Sequence, residues 1–308
     1  MEISKIAVNH LLIRGESFTF KALANSFMAG YVGRDKSFHS KLQFFVHQMG
    51  DLIASEIDSD HVDDSLKTLI KRGKIHNRGG TKPGGVLSST HEPLADGTIN
   101  RYRGTLQSVL TWARKKRLMP KGWINPVIDT ERFPEDNART RYLSNEEYER
   151  LLTATRISGW NKLTALVMLA VTTGGRRGAL VGLHWSDLNL EAGTAKINRT
   201  KNGEAFTLVL LPDVIKELRR FMGSKEKSGD LVFCGKNPTK PMGFGKAWTN
   251  ALKDSNLENT DVVFHSLRHT HASWLAQNGA PLLAIAESMG HKSLVMTKRY
   301  SHLCIDSR

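Results

Sequence analysis

The stretch HSLRHTHASWLAQNGAPLLAIAESMGHKSLVMTKRY, residues 265–300, decides the fold. It opens with His265 and His269, one helical turn apart, which is a spacing that zinc sites use. Ser266 stands where a zinc protease of this motif would carry its glutamate, and no third ligand is evident nearby, so a metal site fits poorly. Residues 283–293 also resemble the turn of a helix-turn-helix, a motif with many false positives. Taken alone, the stretch leaves its function open.

A glycine-rich segment lies upstream, TGGRRG at residues 173–178, directly after the apolar run 163–171. It lacks the GxxxxGK[ST] spacing of a phosphate-binding loop, and a glycine turn after a buried helix is more typical of a helix C-cap. Strand-like runs follow at 195–199 and 205–210. The Asn-Gly pair at 202–203 supplies the positive φ angles of a tight turn, so we expect a β-hairpin here.

The order of these motifs is more informative than any one of them. Along the chain come TGGR (173–176), TKNG (200–203), HSLRH (265–269), Gly-His (290–291) and then Tyr300. This arrangement resembles the tyrosine recombinases of the phage-integrase kind. Chance assembly of five motifs in this order is improbable. LHWSDL at 183–188 and LSNEE at 143–147, a capping box opening a helix, also look like that family.

The resemblance is close over residues 139–302 and looser over 98–126, whereas residues 1–97 match only in being helical. It implies a mainly α, two-domain, C-shaped DNA clamp. Residues 1–137 would form a helical core-DNA-binding domain, with a linker from about residue 125. Residues 138–308 would form an α-rich catalytic domain with a small antiparallel β-sheet.

The same resemblance implies the catalytic residues, which are Arg176, Lys201, His265, Arg268, His291 and Tyr300. Tyr300 would attack phosphorus and give a 3′-phosphotyrosine and a free 5′-hydroxyl. The covalent link conserves the bond energy, so we expect neither a cofactor nor a metal.

The chemistry explains these residue types. Arg176 and Arg268 suit the non-bridging oxygens of the transition state because guanidinium groups bind oxygens bidentately and stay charged. His291 would donate a further hydrogen bond to the same oxygens. Lys201 is the family's general acid for the departing 5′-oxygen, with Lys196 as the alternative on the same hairpin. His265 would accept the tyrosine proton or orient the phosphate.

The sequence departs from the family pattern in two places. The family usually carries an acidic residue three positions after the first arginine, where this chain has Ala179. Only eight residues, 301–308, follow Tyr300, which is short for the C-terminal exchange between protomers that many relatives make. The stretch before Thr19 is also short for a separate arm-site-binding domain.

Helical periodicity dominates the N-terminal half. Apolar residues recur at three- and four-residue steps in two sets: Phe38, Leu42, Phe45, Met49, Leu52, and Ile99, Tyr102, Leu106, Val109, Ala113. Residues 71–97 are basic and glycine-rich without an apolar period, which predicts a loop or a disordered insert. Such a loop is either a flexible surface segment or a contact to the DNA backbone. Our candidate DNA-binding residues are Lys74, Arg78, Arg101 and Arg103.

Composition points to a polyanionic partner. The chain of 308 residues carries 44 Lys and Arg against 30 Asp and Glu, a net charge of +14. Such a surplus favours nucleic acid because neutralised phosphates release counterions, although a basic enzyme or a ribosome-associated protein shares it. With two cysteines, no secretion signal and no apolar run near the ~20 residues that span a bilayer, we expect a cytoplasmic, nucleoid-associated protein of a bacterium or phage.

Double-stranded DNA is the partner that the resemblance implies, bound by four protomers that synapse two sites and are monomers when free. The expected activity is site-specific recombination, such as integration or excision of a mobile element. A type IB topoisomerase and a non-catalytic DNA-binding regulator are the alternatives, although a pure binder has no need for the tyrosine. The DNA site and any accessory DNA-bending proteins stay open.

Overall fold

The computed structural model describes residues 17–33, 35–77, 87–90, 92–135, 141–197, 205–223 and 228–304. The chain divides into two compact units, Met1–Asn137 and Ala138–Arg308. Both are mostly helical, which confirms the mainly α class. No helix within the described residues is long and apolar enough to cross a membrane.

The helices described in the first unit are α1 (Phe20–Ala29), α2 (Phe38–Met49), α3 (Ser59–Arg72) and α4 (Asp96–Lys115). Both predicted helical periods lie on them, at α2 and α4, except that α2 ends at Met49, before Leu52. Their apolar residues are buried in one core, apart from Leu52 and Tyr102, which are half-buried. Two helices begin at side-chain caps, because Thr19 accepts from the Ala22 N–H and Asp58 accepts from the His61 N–H.

A short hairpin stands where a loop was predicted. Strands β1 (Ile75–Asn77) and β2 (Leu87–Ser89) pair antiparallel, with Ile75 opposite Ser89. Beyond them the Thr90 N–H donates to the Lys74 carbonyl at 2.9 Å. The prediction of an irregular segment over 71–97 is therefore wrong at both of its ends, because three-residue strands are too short to show alternation. Residues 78–86 and 91, and with them Arg78, lie outside the described residues.

The stretch predicted as the start of the linker packs against the first unit. Asn125 caps a short 3-10 helix, Pro126–Ile128, by accepting from the Val127 N–H at 3.1 Å. Val127 is fully buried in the core of this unit. Further along, the Asn100 amide donates to the Phe133 carbonyl at 2.8 Å. The linker therefore does not begin at residue 125, since apolar burial and these bonds hold residues 125–133 on the unit.

The second unit is built around one buried helix. Its described helices are α5 (Asn145–Arg156), α6 (Leu163–Thr173), α7 (Arg177–Val181), α8 (Pro212–Phe221), α9 (Gly245–Asp254), α10 (Ser266–Gln277) and α11 (Leu282–Ser288). Every residue of α6 except Thr172 is buried, and this helix packs against α5, α7, α8 and α10. The capping box that opens α5 is confirmed, because Ser144 and Glu147 each accept from the other's backbone N–H.

A three-stranded antiparallel sheet lies beside these helices, in the order β3 (Leu188–Asn189), β4 (Thr194–Ile197), β5 (Phe206–Val209). The predicted hairpin strands are confirmed: Ala195 pairs with Leu208, and both are buried. β3 was not predicted, since two residues show no alternation. The turn at 202–203 and Lys201 lie outside the described residues.

Candidate active site

The turn after α6 positions Arg176. Helix α6 ends at Gly174, which has φ 61° and whose N–H donates to the Ala170 carbonyl. A Cβ at this glycine would lie 2.6 Å from the His271 ring, so the turn admits only glycine without rearrangement. Arg176 follows as the N-cap of α7 and is half-buried. The TGGR segment is thus a helix C-cap that leads an arginine to the start of the next helix.

Arg268, in the first turn of α10, connects two loops. It is 5% exposed, and its guanidinium donates to the Gly174 carbonyl through Nη1 and to the Met289 carbonyl at 2.8 Å through Nη2. These carbonyls lie two residues before Arg176 and two residues before His291, respectively. Burial, and then the charge of Arg176, lower the pKa of Arg268 to about 10, so it remains a cation at neutral pH.

His291 follows Gly290, which has φ 60°. Its Nδ1 lies 2.8 Å from the hydroxyl of the buried Thr297. Burial, and then the charges of Arg268, Arg176 and Arg299, lower the pKa of His291 to about 4. The ring is therefore neutral at pH 7, and where Nδ1 accepts from Thr297 its proton is on Nε2, ready to donate.

His265, the residue before α10, faces a cavity. Partial desolvation of the ring, and then the charges of Arg268, Arg176 and Arg299, lower the pKa of His265, although part of the side chain is exposed to solvent. Its ring stands perpendicular to that of His269, with centroids 5.0 Å apart. The cavity has a volume of about 540 Å³ and is lined by Arg141, Thr260, Asp261, Val263, His265, Ser266 and His269.

Tyr300 lies in a 3-10 helix, Lys298–Leu303, and is 1% exposed. It belongs to a small apolar cluster with Ala272, Ala276, Ile285 and Met289. Burial raises the pKa of the Tyr300 phenol, against the smaller effects of Arg299 and Arg268. The hydroxyl is therefore protonated at neutral pH.

The hydroxyl of Tyr300 is hydrogen-bonded to His269, with Nδ1 2.6 Å from Oη. The family pattern in the sequence predicts that His265 accepts the tyrosine proton or orients the phosphate, and it gives His269 no role. A signal was present, because residues four apart on a helix share one face and His269 is four residues after His265. The same spacing is also one that zinc sites use. Within the described part of the chain, no group of three or more potential ligands that could hold a metal is present.

Residues 141–305 match the phage integrase family model. The chain belongs to the phage integrase family. The integrase of Salmonella phage P22 is 32% identical over 229 residues, which cover 69% of this chain and 55% of the relative. The tyrosine recombinase XerD of Halalkalibacterium halodurans is 31% identical over 221 residues, covering 68% and 72% respectively. The chain thus spans about half the length of the first of these relatives.

Solved structures share the fold of this member of the phage integrase family. The Tn1549 transposon integrase, solved in complex with circular intermediate DNA, is 18% identical with a TM-score of 0.70. The match covers 94% of this chain and 98% of that one. The two proteins therefore share a fold over both units.

The remaining predicted residues of this family member have different surroundings. Lys201 lies outside the described residues, and its alternative, Lys196, is exposed on β4. Among the DNA-binding candidates, Arg101 is exposed on α4, and Lys74 is exposed with its amine 3.0 Å from Glu92. Arg103 instead donates within its own unit, to the backbone carbonyls of Val127 and Thr130 and to the Thr130 hydroxyl. The N···O distances of these three bonds are 2.5, 2.9 and 2.9 Å, which indicates a structural role for Arg103.

Proposed function

We propose that this chain is a site-specific DNA recombinase that cleaves and rejoins DNA through a 3′-phosphotyrosine at Tyr300. One observation carries the proposal. Arg268 hydrogen-bonds the loops of Arg176 and His291, and α10, which bears Arg268, also bears the histidine bonded to Tyr300. Membership of the phage integrase family supports the same activity.

The cations supply the main stabilisation in this proposal. Attack on a phosphodiester adds negative charge to the non-bridging oxygens, and preorganised donors aimed at them lower the barrier. A guanidinium carries five N–H donors, so the two backbone bonds of Arg268 leave capacity for a phosphate oxygen. Arg176, half-buried at the start of α7, binds a second oxygen. His291 is neutral and donates a third hydrogen bond.

The remaining step is a proton transfer to the leaving group. As the Tyr300 oxygen bonds to phosphorus, the bond from phosphorus to the 5′-oxygen breaks and that oxygen needs a proton. Lys201, which lies between β4 and β5 in the sequence, is the proposed donor. Rejoining reverses each transfer, so the reaction needs neither a cofactor nor an external energy source.

The proposed partner is double-stranded DNA. The net charge of +14 suits it, and the Tn1549 relative was solved bound to DNA. In this proposal the first unit binds the core site and the second performs catalysis. Four protomers exchange strands between two synapsed sites, as in the integration or excision of a mobile element.

Trapping covalent protein–DNA junctions in cells tests this function and yields the target sequence. Cells expressing the chain are lysed under denaturing conditions, and the DNA attached to the protein is sequenced. A recombinase gives a few discrete junctions together with recombined products, all lost in Tyr300→Phe. Scattered junctions without recombinants indicate a type IB topoisomerase instead. Sequence-specific binding without any junction indicates a regulator.

A further inference from the structure

We propose that His269, and not His265, accepts the proton of Tyr300 when the tyrosine attacks. This inference rests on the function proposed above, and it names a catalytic residue outside the set predicted from the sequence. The contact that carries it is the 2.6 Å hydrogen bond between His269 Nδ1 and the Tyr300 hydroxyl oxygen.

The contact is part of a packed interface. Helix α10 packs against the 3-10 helix that carries Tyr300. On α10, Ala272 and Ala276 contribute to the apolar cluster that buries the tyrosine ring, and His269 lies one turn before Ala272. The two rings lie 6.1 Å apart, centroid to centroid. The packing of α10 against the 3-10 helix therefore determines that the Tyr300 hydroxyl contacts His269.

His269 is in the protonation state that a base requires. Burial, and then His265, Arg299 and Arg268, lower its pKa to about 4. The imidazole is thus neutral at pH 7, and an unprotonated Nδ1 accepts from the phenol. The charge of a protonated His269 in turn contributes, as the smallest effect, to the lowered pKa of His291. A scissile phosphate arriving among these cations offsets their charge and raises the pKa of His269, so the base strengthens when substrate is bound.

A route for the proton also exists. His269 lines the cavity of about 540 Å³ that His265 faces, so one imidazole meets the nucleophile and also borders an open space. In cleavage the bond from Tyr300 Oη to phosphorus forms and the bond to the 5′-oxygen breaks. The phenolic proton moves to His269 Nδ1, and Lys201 protonates the 5′-oxygen. His265 then keeps the other predicted role, which is to orient the phosphate.

The test measures single-turnover cleavage of a nicked suicide substrate built on the mapped site, as a function of pH. In His269→Gln the side chain still accepts a hydrogen bond but cannot take up the proton. We expect cleavage to slow roughly 10²–10³-fold. Its rate should then rise about tenfold per pH unit above neutrality, as the phenol ionises by itself, whereas the wild-type rate stays flat.

His271→Gln is the matched control. His271 is on the same helix, is buried and also has a pKa lowered to about 4, but it bonds the Val171 carbonyl and the Ser288 hydroxyl. Its variant should keep the flat pH profile of the wild type. If His269→Gln also keeps that profile while His265→Gln acquires the slope, His265 is the base and the inference is wrong.

Two further measurements do not depend on that comparison. Difluorotyrosine at position 300, whose phenol is more acidic, should restore much of the rate lost in His269→Gln, and a merely structural defect would not be restored. With His269 left in place, its Nδ1 ¹⁵N resonance should shift between the wild type and Tyr300→Phe, while the resonances of His271 stay where they are. An unmoved His269 signal overturns the inference. Absence of any adduct in the wild type counts instead against the proposed function.

Discussion

Arg268 donates from Nη2 to the carbonyl oxygen of Met289 at 2.8 Å, and this bond joins helix α10 to the turn before His291. A second bond, from Nη1 to Gly174, joins the same side chain to the turn before Arg176. An arginine expected to act on the phosphate is therefore also a structural connection. The two arginines of the site should consequently differ in what their removal does.

Arg268→Ala should lose both cleavage and stability, because it removes two charge-assisted bonds from a buried position. We expect a decrease in unfolding free energy of about 3 kcal/mol, against less than about 0.5 kcal/mol for Arg176→Ala. Urea unfolding of both variants measures the difference, and their DNA affinity at one salt concentration is the companion measurement. Equal destabilisation of the two would show that the bonds of Arg268 to the two turns are unimportant.

The turn at Gly174 should be intolerant of any side chain. Gly174→Ala adds a Cβ 2.6 Å from His271 at φ 61°, so we expect a loss of roughly 1–3 kcal/mol. Gly178→Ala is the control, since it lies within α7 and its Cβ meets nothing within 4 Å. Alanine should be neutral or stabilising there by about 0.5–1 kcal/mol. Thermal unfolding of the two variants measures the difference in their stability. Similar effects at the two glycines would refute the steric argument.

The features that could be predicted from the sequence are those that depend on residues close together along the chain. The capping box of Ser144 and Glu147 and the buried periods of α2 and α4 follow local patterns, and the structure has them. The link from Arg268 to Met289 spans 21 residues and two turns, and no pattern in the sequence encodes it. The bond from His269 to Tyr300 was missed for the same reason, since it exists only once two helices pack.

The first unit offers a matched pair of arginines for DNA binding. Arg101→Ala should reduce the slope of log affinity against log salt concentration by about one, because the exposed guanidinium can contact a phosphate. Arg103→Ala should leave that slope unchanged and lower the stability of the unit, since its donors hold Val127 and Thr130. Titrations of labelled site DNA at several salt concentrations give both slopes. A flatter slope for Arg103→Ala alone would reverse the assignment.

Acid should destabilise the second unit through its neutral histidines. The pKa values of His269, His271 and His291 are lowered to about 4, mainly by burial, against an ordinary value of 6.5. The unfolded chain binds more protons in this window, so stability is complete above pH 6.5 and falls as pH drops toward 4. Unfolding free energies across that range should decline less steeply in His271→Gln than in the wild type. A decline of equal steepness would show that His271 does not contribute.

Tyr300 is the residue that we propose becomes covalently joined to DNA. Tyr300→Phe removes one oxygen, keeps the buried ring and changes no charge, so folding and DNA affinity should persist. The measurement is incubation with a suicide substrate nicked beside the scissile phosphate, followed by denaturing electrophoresis and peptide mapping. We expect the wild type to accumulate a protein–DNA species attached at Tyr300, and Tyr300→Phe to form none. An adduct that persists in Tyr300→Phe, or that maps to another residue of the wild type, would contradict the account.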